Sequence, residues 1–261
     1  MALQASNIAL RYGHLSLLDG IDFTLKPGKV HVILGPNGAG KTSLLRILCG
    51  DLSPSRGEVM LHGQPYAEWS SLERARRLAV LPQHTTLNFP FTAEEVVQLG
   101  RTPHTSGVVR DKQIISAALA RVDGSYLANR FYTQLSGGEK QRVQLARVLA
   151  QIWPNEDDNI ANDGRVLILD EPTASFDLAH QQLLVEVVRE FAAQGVAVAM
   201  VVHDLNLALQ CADTVTLLSC GRVAASGSPA GVMRAELLQQ VFSARLDVIT
   251  HPTSGRPLII S

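Results

Sequence analysis

The stretch Gly35-Pro36-Asn37-Gly38-Ala39-Gly40-Lys41-Thr42 decides how the rest of this chain is read. It has Gly, four residues, Gly, Lys and then Ser or Thr, the spacing with which a backbone wraps phosphate oxygens. The apolar, β-branched run Val30 to Leu34 before it predicts a buried strand. Ser43 to Cys49 after it has helical spacing, ended by Gly50. Strand, glycine-rich turn and helix together put free N–H groups and a helix N-terminus against an anion. In such a site Lys41 reaches the β and γ phosphates and the Thr42 hydroxyl takes a place on Mg²⁺. The stretch therefore predicts a nucleoside triphosphate site.

Working outward, four apolar residues, Val166 to Leu169, run straight into Asp170-Glu171-Pro172. A buried strand ending in two carboxylates delivers acid to the sheet edge, where Asp170 can hold the hydrated Mg²⁺ and Glu171 can polarise an attacking water. Leu78 to Leu81 predicts a second core strand, taken as central, with the amide of Gln83 at its C-terminal end. The strand Val196 to Val202 stops at His203-Asp204, which leaves His203 either near the γ phosphate or as an ordinary strand-end histidine. Upstream, Leu3 to Arg11 and Ile21 to Leu25 alternate as antiparallel strands. Between them Tyr12 is compatible with stacking on a purine or with simple packing at a strand end.

From Thr92 to Ile152 the strand character disappears, and Ala93 to Leu99, Lys112 to Val122 and Glu139 to Leu149 have helical spacing. Within this insertion Leu135-Ser136-Gly137-Gly138-Glu139 opens a helix. Ser136 is a good N-cap, serving either a plain capped helix or a second anion site. An acidic, Asn-rich stretch from Pro154 to Gly164 resembles a surface loop. The helix Leu178 to Ala193, a hairpin from Thr214 to Ser226, further helices from Pro229 to Phe242 and an edge strand at Pro257 to Ile260 complete the chain.

Composition narrows the function classes. With 261 residues, 46% of them apolar, the chain can bury a sizeable core. A net charge of −1 disfavours nucleic acid as the principal partner. The longest apolar run, Val196 to Val202, is far too short to span a bilayer, and the N-terminus lacks the pattern of an export signal, so the expected place is the cytoplasm. Cys49, Cys211 and Cys220 are an odd number without metal-ligand spacing and predict buried, reduced thiols.

The order of these motifs resembles the ATP-binding subunits of ABC transporters over nearly the whole chain. The resemblance implies an α/β fold: a P-loop NTPase core with a mixed sheet flanked by helices (1–83 and 160–261), an N-terminal antiparallel β subdomain, and an inserted helical subdomain (84–159). Gly35 to Thr42 looks like Walker A, with Ser43 beside it, and Val166 to Asp170 like Walker B. Glu171 matches the catalytic base, His203 the switch histidine, Gln83 the Q-loop glutamine that joins Thr42 and Asp170 as a metal ligand, and Tyr12 the adenine-stacking aromatic. Leu135 to Glu139 matches the family signature and Ser175-Phe176-Asp177 the D-loop, so Ser136, Gly137, Gly138, Glu139 and Asp177 are expected to close over ATP held by a second copy. Glu139 stands where Gln is commoner and adds a negative charge near the nucleotide; Phe176 interrupts the usual D-loop.

A finer similarity concerns Thr92 to His104, which resembles ATPases of bacterial importers of iron-siderophore, haem and cobalamin; Ile152 to Arg165 and Asp177 to Gln181 look most like the haem-import members. The implied cofactors are ATP and Mg²⁺. The implied partners are a second copy of the chain, two copies of a transmembrane permease and, indirectly, a periplasmic haem-binding protein, at the cytoplasmic face of the inner membrane, with no direct haem contact. Soluble ABC ATPases acting on DNA or ribosomes would show coiled-coil arms, basic patches or two ATPase halves, and a regulator without turnover would lack Glu171.

Overall fold

The computed structural model describes residues 1–261 except 84, 86, 155–163, 251–254, 256 and 261. In chain order the strands are β1 (Leu3–Tyr12), β2 (Leu15–Leu25), β3 (Val30–Leu34), β4 (Arg56–Leu61), β5 (Gln64–Pro65), β6 (Leu78–Leu81), β7 (Val166–Asp170), β8 (Ala197–Val201), β9 (Thr214–Ser219), β10 (Arg222–Gly227), β11 (Asp247–Thr250) and β12 (Pro257–Ile260). The helices are α1 (Lys41–Leu48), α2 (Ser71–Arg77), α3 (Ala93–Gln98), α4 (Val108–Arg121), α5 (Gly137–Gln151), α6 (Leu178–Ala193), α7 (Leu205–Cys211), α8 (Pro229–Val232) and α9 (Ala235–Phe242).

A six-stranded sheet runs in the order β10-β9-β3-β8-β7-β6, with β10 antiparallel and the others parallel. A four-stranded antiparallel sheet, β2-β1-β4-β5, stands apart from it. The central strands β3, β8 and β7 are buried on both faces, and this is why they are almost wholly apolar. On β3, Val30, Val32 and Leu34 join the core under helices α3 to α7, while Ile33 points the other way into a second core with α1 and the antiparallel sheet. β7 divides likewise: Leu167 and Leu169 on one side, Val166 and Ile168 on the other. The pleat alternates faces residue by residue, so each strand ties the two cores together.

Three expectations are corrected. β6 is an edge strand of the large sheet, not a central one; a four-residue apolar run reads the same in either place, because strand order is set by distant partners. Pro257 to Ile260 pairs only with β11, in a separate two-stranded sheet. Cys220 is exposed at the β9–β10 turn, whereas Cys49 and Cys211 are buried, where desolvation raises both thiols to about 12. Most of the proposed loop from Pro154 to Gly164, and the boundary between 159 and 160, lie outside the described residues.

The seam between the two sheets holds a buried polar group. His31 on β3 is 5% exposed, with Nε2 2.8 Å from Thr216 Oγ1 and Nδ1 3.2 Å from the Thr24 carbonyl of β2. Burial lowers its pKa from 6.5 to about 4, against a smaller upward pull from the Thr24 carbonyl. In the folded chain His31 therefore resists a proton that the unfolded chain accepts. Its contribution is complete above pH 6.5 and is lost as the pH falls toward 4, by up to about 3 kcal/mol. Denaturant unfolding between pH 7 and pH 4 should show a steeper loss of stability for the parent than for His31→Asn; parallel profiles would remove His31 as the source.

Candidate nucleotide site

The parallel strands β3, β7 and β8 end on one side of the large sheet, so the segments that follow them meet there. Their meeting place is a cavity of about 730 Å³ lined by Leu17, Asn37, Gly38, Gly40, Lys41, Thr42, Ser43, Gln83, Glu171 and His203. The loop after β3 has its tight course because of its glycines. Gly40 has φ +97°, and a Cβ there would lie 2.6 Å from Leu18; at Gly35 it would lie 2.3 Å from the Leu218 carbonyl. No larger residue fits either position without moving backbone or core.

Lys41 is buried, and its Nζ donates to the carbonyls of Gly35 (2.8 Å) and Pro36 (3.0 Å). Burial lowers its pKa, while Glu171 and Asp170 act in the opposite direction. Asp170, at the end of β7, is 5% exposed. Burial first, then the adjacent Glu171, push its carboxyl above the usual range, while the Thr42 hydroxyl, Lys41 and His203 pull it down. Its Oδ1 is buried without a hydrogen-bond partner. An uncompensated buried carboxylate oxygen beside a hydroxyl is a donor set that a hard cation such as Mg²⁺ satisfies. Among the described residues no group of three or more His, Cys, Asp and Glu could hold a metal ion.

Glu171 is held from two sides. Its Oε2 accepts from Gln83 Nε2 at 2.6 Å and its Oε1 lies 2.5 Å from His203 Nε2. Its backbone is in the left-handed region, φ +50°, a conformation that costs a non-glycine residue on the order of 1 kcal/mol and is kept where the surroundings fix it. Gln83 therefore meets the site through Glu171, which uses its amide nitrogen and leaves the oxygen free to accept.

The remaining sequence-derived residues lie elsewhere on the surface of the same chain. Tyr12 ends β1 with its ring 55% exposed, paired with Leu15 and so close along the ladder to Leu17. Ser136 caps α5 away from the cavity lining: its Oγ accepts from the Glu139 N–H at 3.3 Å, and Glu139 Oε2 accepts from the Ser136 N–H at 2.8 Å. Gly137 and Gly138 pack on Ser175, and Asp177 caps α6, accepting from the His180 N–H at 2.9 Å. The charge of Glu139 has partners within its own chain. Arg130 Nη1 donates to Glu139 Oε1 at 2.9 Å, and the Ser136 bonds, with this guanidinium, hold the carboxyl below its usual range. Leu17 was missed, because the first half of β2 carries no clear alternation before Ile21.

Two comparisons fix the family. The ABC transporter family model matches residues 18–174. The chain is 49% identical over 259 residues to the hemin import ATP-binding protein HmuV of Pseudomonas fluorescens strain Pf0-1, covering 99% of each chain, and 47% identical to that of Myxococcus xanthus, covering 100% of this chain and 97% of the other. The chain belongs to the ABC transporter family. It is a transport ATPase and binds ATP. Its fold matches the solved ATP-binding subunit of an ABC transporter with a TM-score of 0.80 at 22% identity, over 92% of this chain and 99% of that one. A nucleotide-free ATP-binding cassette matches with 0.74 at 21% identity, over 93% and 95%.

The cap at Ser136 gives a direct expectation. Glu139→Gln can still accept from the Ser136 N–H and should leave thermal stability nearly unchanged, whereas Glu139→Ala should cost about 1 kcal/mol. Equal melting temperatures for the two variants would show that the box contributes nothing.

Proposed function

We propose that this chain is the ATP-hydrolysing subunit of a bacterial haem importer, working as a homodimer bound to two copies of a transmembrane permease that takes haem from a periplasmic binding protein. The observation that carries the choice of cargo is the 47–49% identity, along nearly the full length, to hemin import relatives. Among the described residues no helix is long and apolar enough to cross a membrane, so the subunit's place is peripheral, on the cytoplasmic face of the inner membrane.

In this reading the adenine stacks on Tyr12, the phosphates lie along Gly35 to Ser43, and Lys41 exchanges its carbonyl partners for phosphate oxygens. Thr42 and Asp170, with the Gln83 oxygen, would hold Mg²⁺, which when bound neutralises charge on the phosphate oxygens. Glu171 orients the attacking water and accepts its proton, with His203 beside it fixing the carboxylate. Ser136, Gly137, Gly138, Glu139 and Asp177 sit outside the cavity of their own copy, and this supports their service to the nucleotide of the other copy. The division into a core (1–83 and 160–261) and a helical part (84–159) lets ATP draw the signature toward the opposing phosphate loop. Thr92 to His104, reached from Gln83 through residues 84–91, faces the permease.

Glu171→Gln keeps the carbonyl acceptor but loses the base. It should bind ATP and lower steady-state hydrolysis by about 10²–10⁴-fold. In vesicles holding the assembled transporter it should abolish hemin uptake. Hydrolysis within a few-fold of the parent would remove Glu171 from that role; ATP-driven uptake of a siderophore or cobalamin in place of hemin would reassign the cargo.

A further inference from the structure

The C-terminal turn of α5 gathers contacts from the segment after α3 and from the junction of α2 and β6. Helix ends leave their last carbonyls without helical partners, and here those carbonyls are taken by the segment that follows α3. Arg101 Nη1 donates to the Ala150 carbonyl at 2.7 Å, and His104 Nε2 lies 2.7 Å from the Gln151 carbonyl. The segment also approaches too closely for any side chain at position 100: a Cβ on Gly100 would lie 2.2 Å from the Arg147 carbonyl. From the other side, Gln151 Nε2 donates to the carbonyls of Ala75 (2.7 Å) and Leu78 (3.1 Å), at the junction of α2 and β6, and Arg76 Nε donates to the Pro103 carbonyl at 2.6 Å. β6 leads to Gln83, and Gln83 to Glu171.

Arg101 is 3% exposed, so its side chain is not on the surface of this segment. Besides Ala150 it donates to Asp111 Oδ1 and Ser106 Oγ, each at 2.8 Å. A planar guanidinium can serve three acceptors in different directions at once, and a lysine ammonium on a flexible stem cannot reproduce that geometry. A cation at the C-terminal end of a helix is also favoured by the helix dipole.

We infer that Arg101 is a positioning residue that rivets the permease-facing segment to the C-terminal end of α5, so that a displacement of the segment is carried by the helix to Ser136 at its other end. α5 spans 15 residues, a rigid rod of about 22 Å, and its N-terminus is the part expected to close on the second copy's nucleotide. The inference rests on the reading of Thr92 to His104 as permease-facing. Arg101 does not line the nucleotide cavity, so hydrolysis by the isolated subunit does not need it.

The test uses Arg101→Lys in the full chain, alone and copurified with its tagged permease in vesicles, with ATP hydrolysis and hemin uptake both measured. The isolated variant should match the parent in kcat and KM for ATP, and the complex should still assemble. The change in hydrolysis on assembly and the uptake per ATP should each fall by about 5-fold or more, the size of a lost coupling interaction. Parental values of both ratios would overturn the inference. So would a fall in basal kcat equal to the fall in uptake, because Arg101 would then only support the fold. If Arg101→Lys cannot be purified, His104→Ala removes the other contact to the helix end and should lower both ratios in the same direction; unchanged ratios would again overturn it. A parent complex that hydrolyses ATP but imports no hemin refutes the cargo while the hydrolysis ratio still judges Arg101.

Discussion

The clamp on Glu171 is the interaction on which the site depends. A carboxylate at a strand end ordinarily turns to water; here Gln83 and His203 grip one oxygen each, and the backbone is held at φ +50° to present it. The three residues follow three different strands, β6, β7 and β8, which are neighbours in the sheet. Parallel pairing in the right register is therefore what brings them within hydrogen-bond reach, and the two cores that cover the sheet are what fix the register. The clamp transmits both ways: Gln83 opens the path to the helical insertion, and His203 immediately precedes Asp204, the N-cap of α7.

Beside that clamp, Lys41 and Asp170 are compensated only in part by the protein. Burial works against the charged forms of both Lys41 and Asp170, and the two oppose each other's shifts. Asp170 Oδ1 has no partner, and Lys41 is held by carbonyls, not by a carboxylate. A site with a buried cation and a buried acid, each incompletely compensated, gains most from a ligand that brings phosphate and a divalent cation together. The signature helix shows the contrary design. Ser136, Glu139 and Arg130 satisfy one another at its N-terminus, so that end is ordered before anything binds.

Much of this was legible in the sequence because the decisive segments are local. Val30 to Leu34 is apolar but for His31 and stops at Gly35, Val166 to Leu169 is a continuous apolar run that stops at Asp170, and the helix Leu178 to Ala193 runs from an Asp cap to a Gly. Their boundaries follow from a few neighbouring residues. What was not legible depends on distant partners. The edge position of β6, the pairing of Pro257 to Ile260 with β11 and the exposure of Cys220 are set by how remote segments meet. The same holds for functional detail: the resemblance assigned Gln83, Glu171 and His203 separately, and only the fold shows that the first and last hold the second. Arg101 sits in a segment placed by resemblance alone, and its burial against the end of α5 has no signature in local sequence.

The central claim is that Gln83, besides offering its oxygen to Mg²⁺, acts on hydrolysis through the hydrogen bond from its amide nitrogen to Glu171. A double-mutant cycle on steady-state ATP turnover, with Gln83→Ala, Glu171→Gln and the double variant, measures this directly. If Gln83 works in part through the carboxylate, the double variant should lose clearly less than the product of the two single losses. Independent losses that multiply in the double variant would contradict the clamp as the organising interaction of the site.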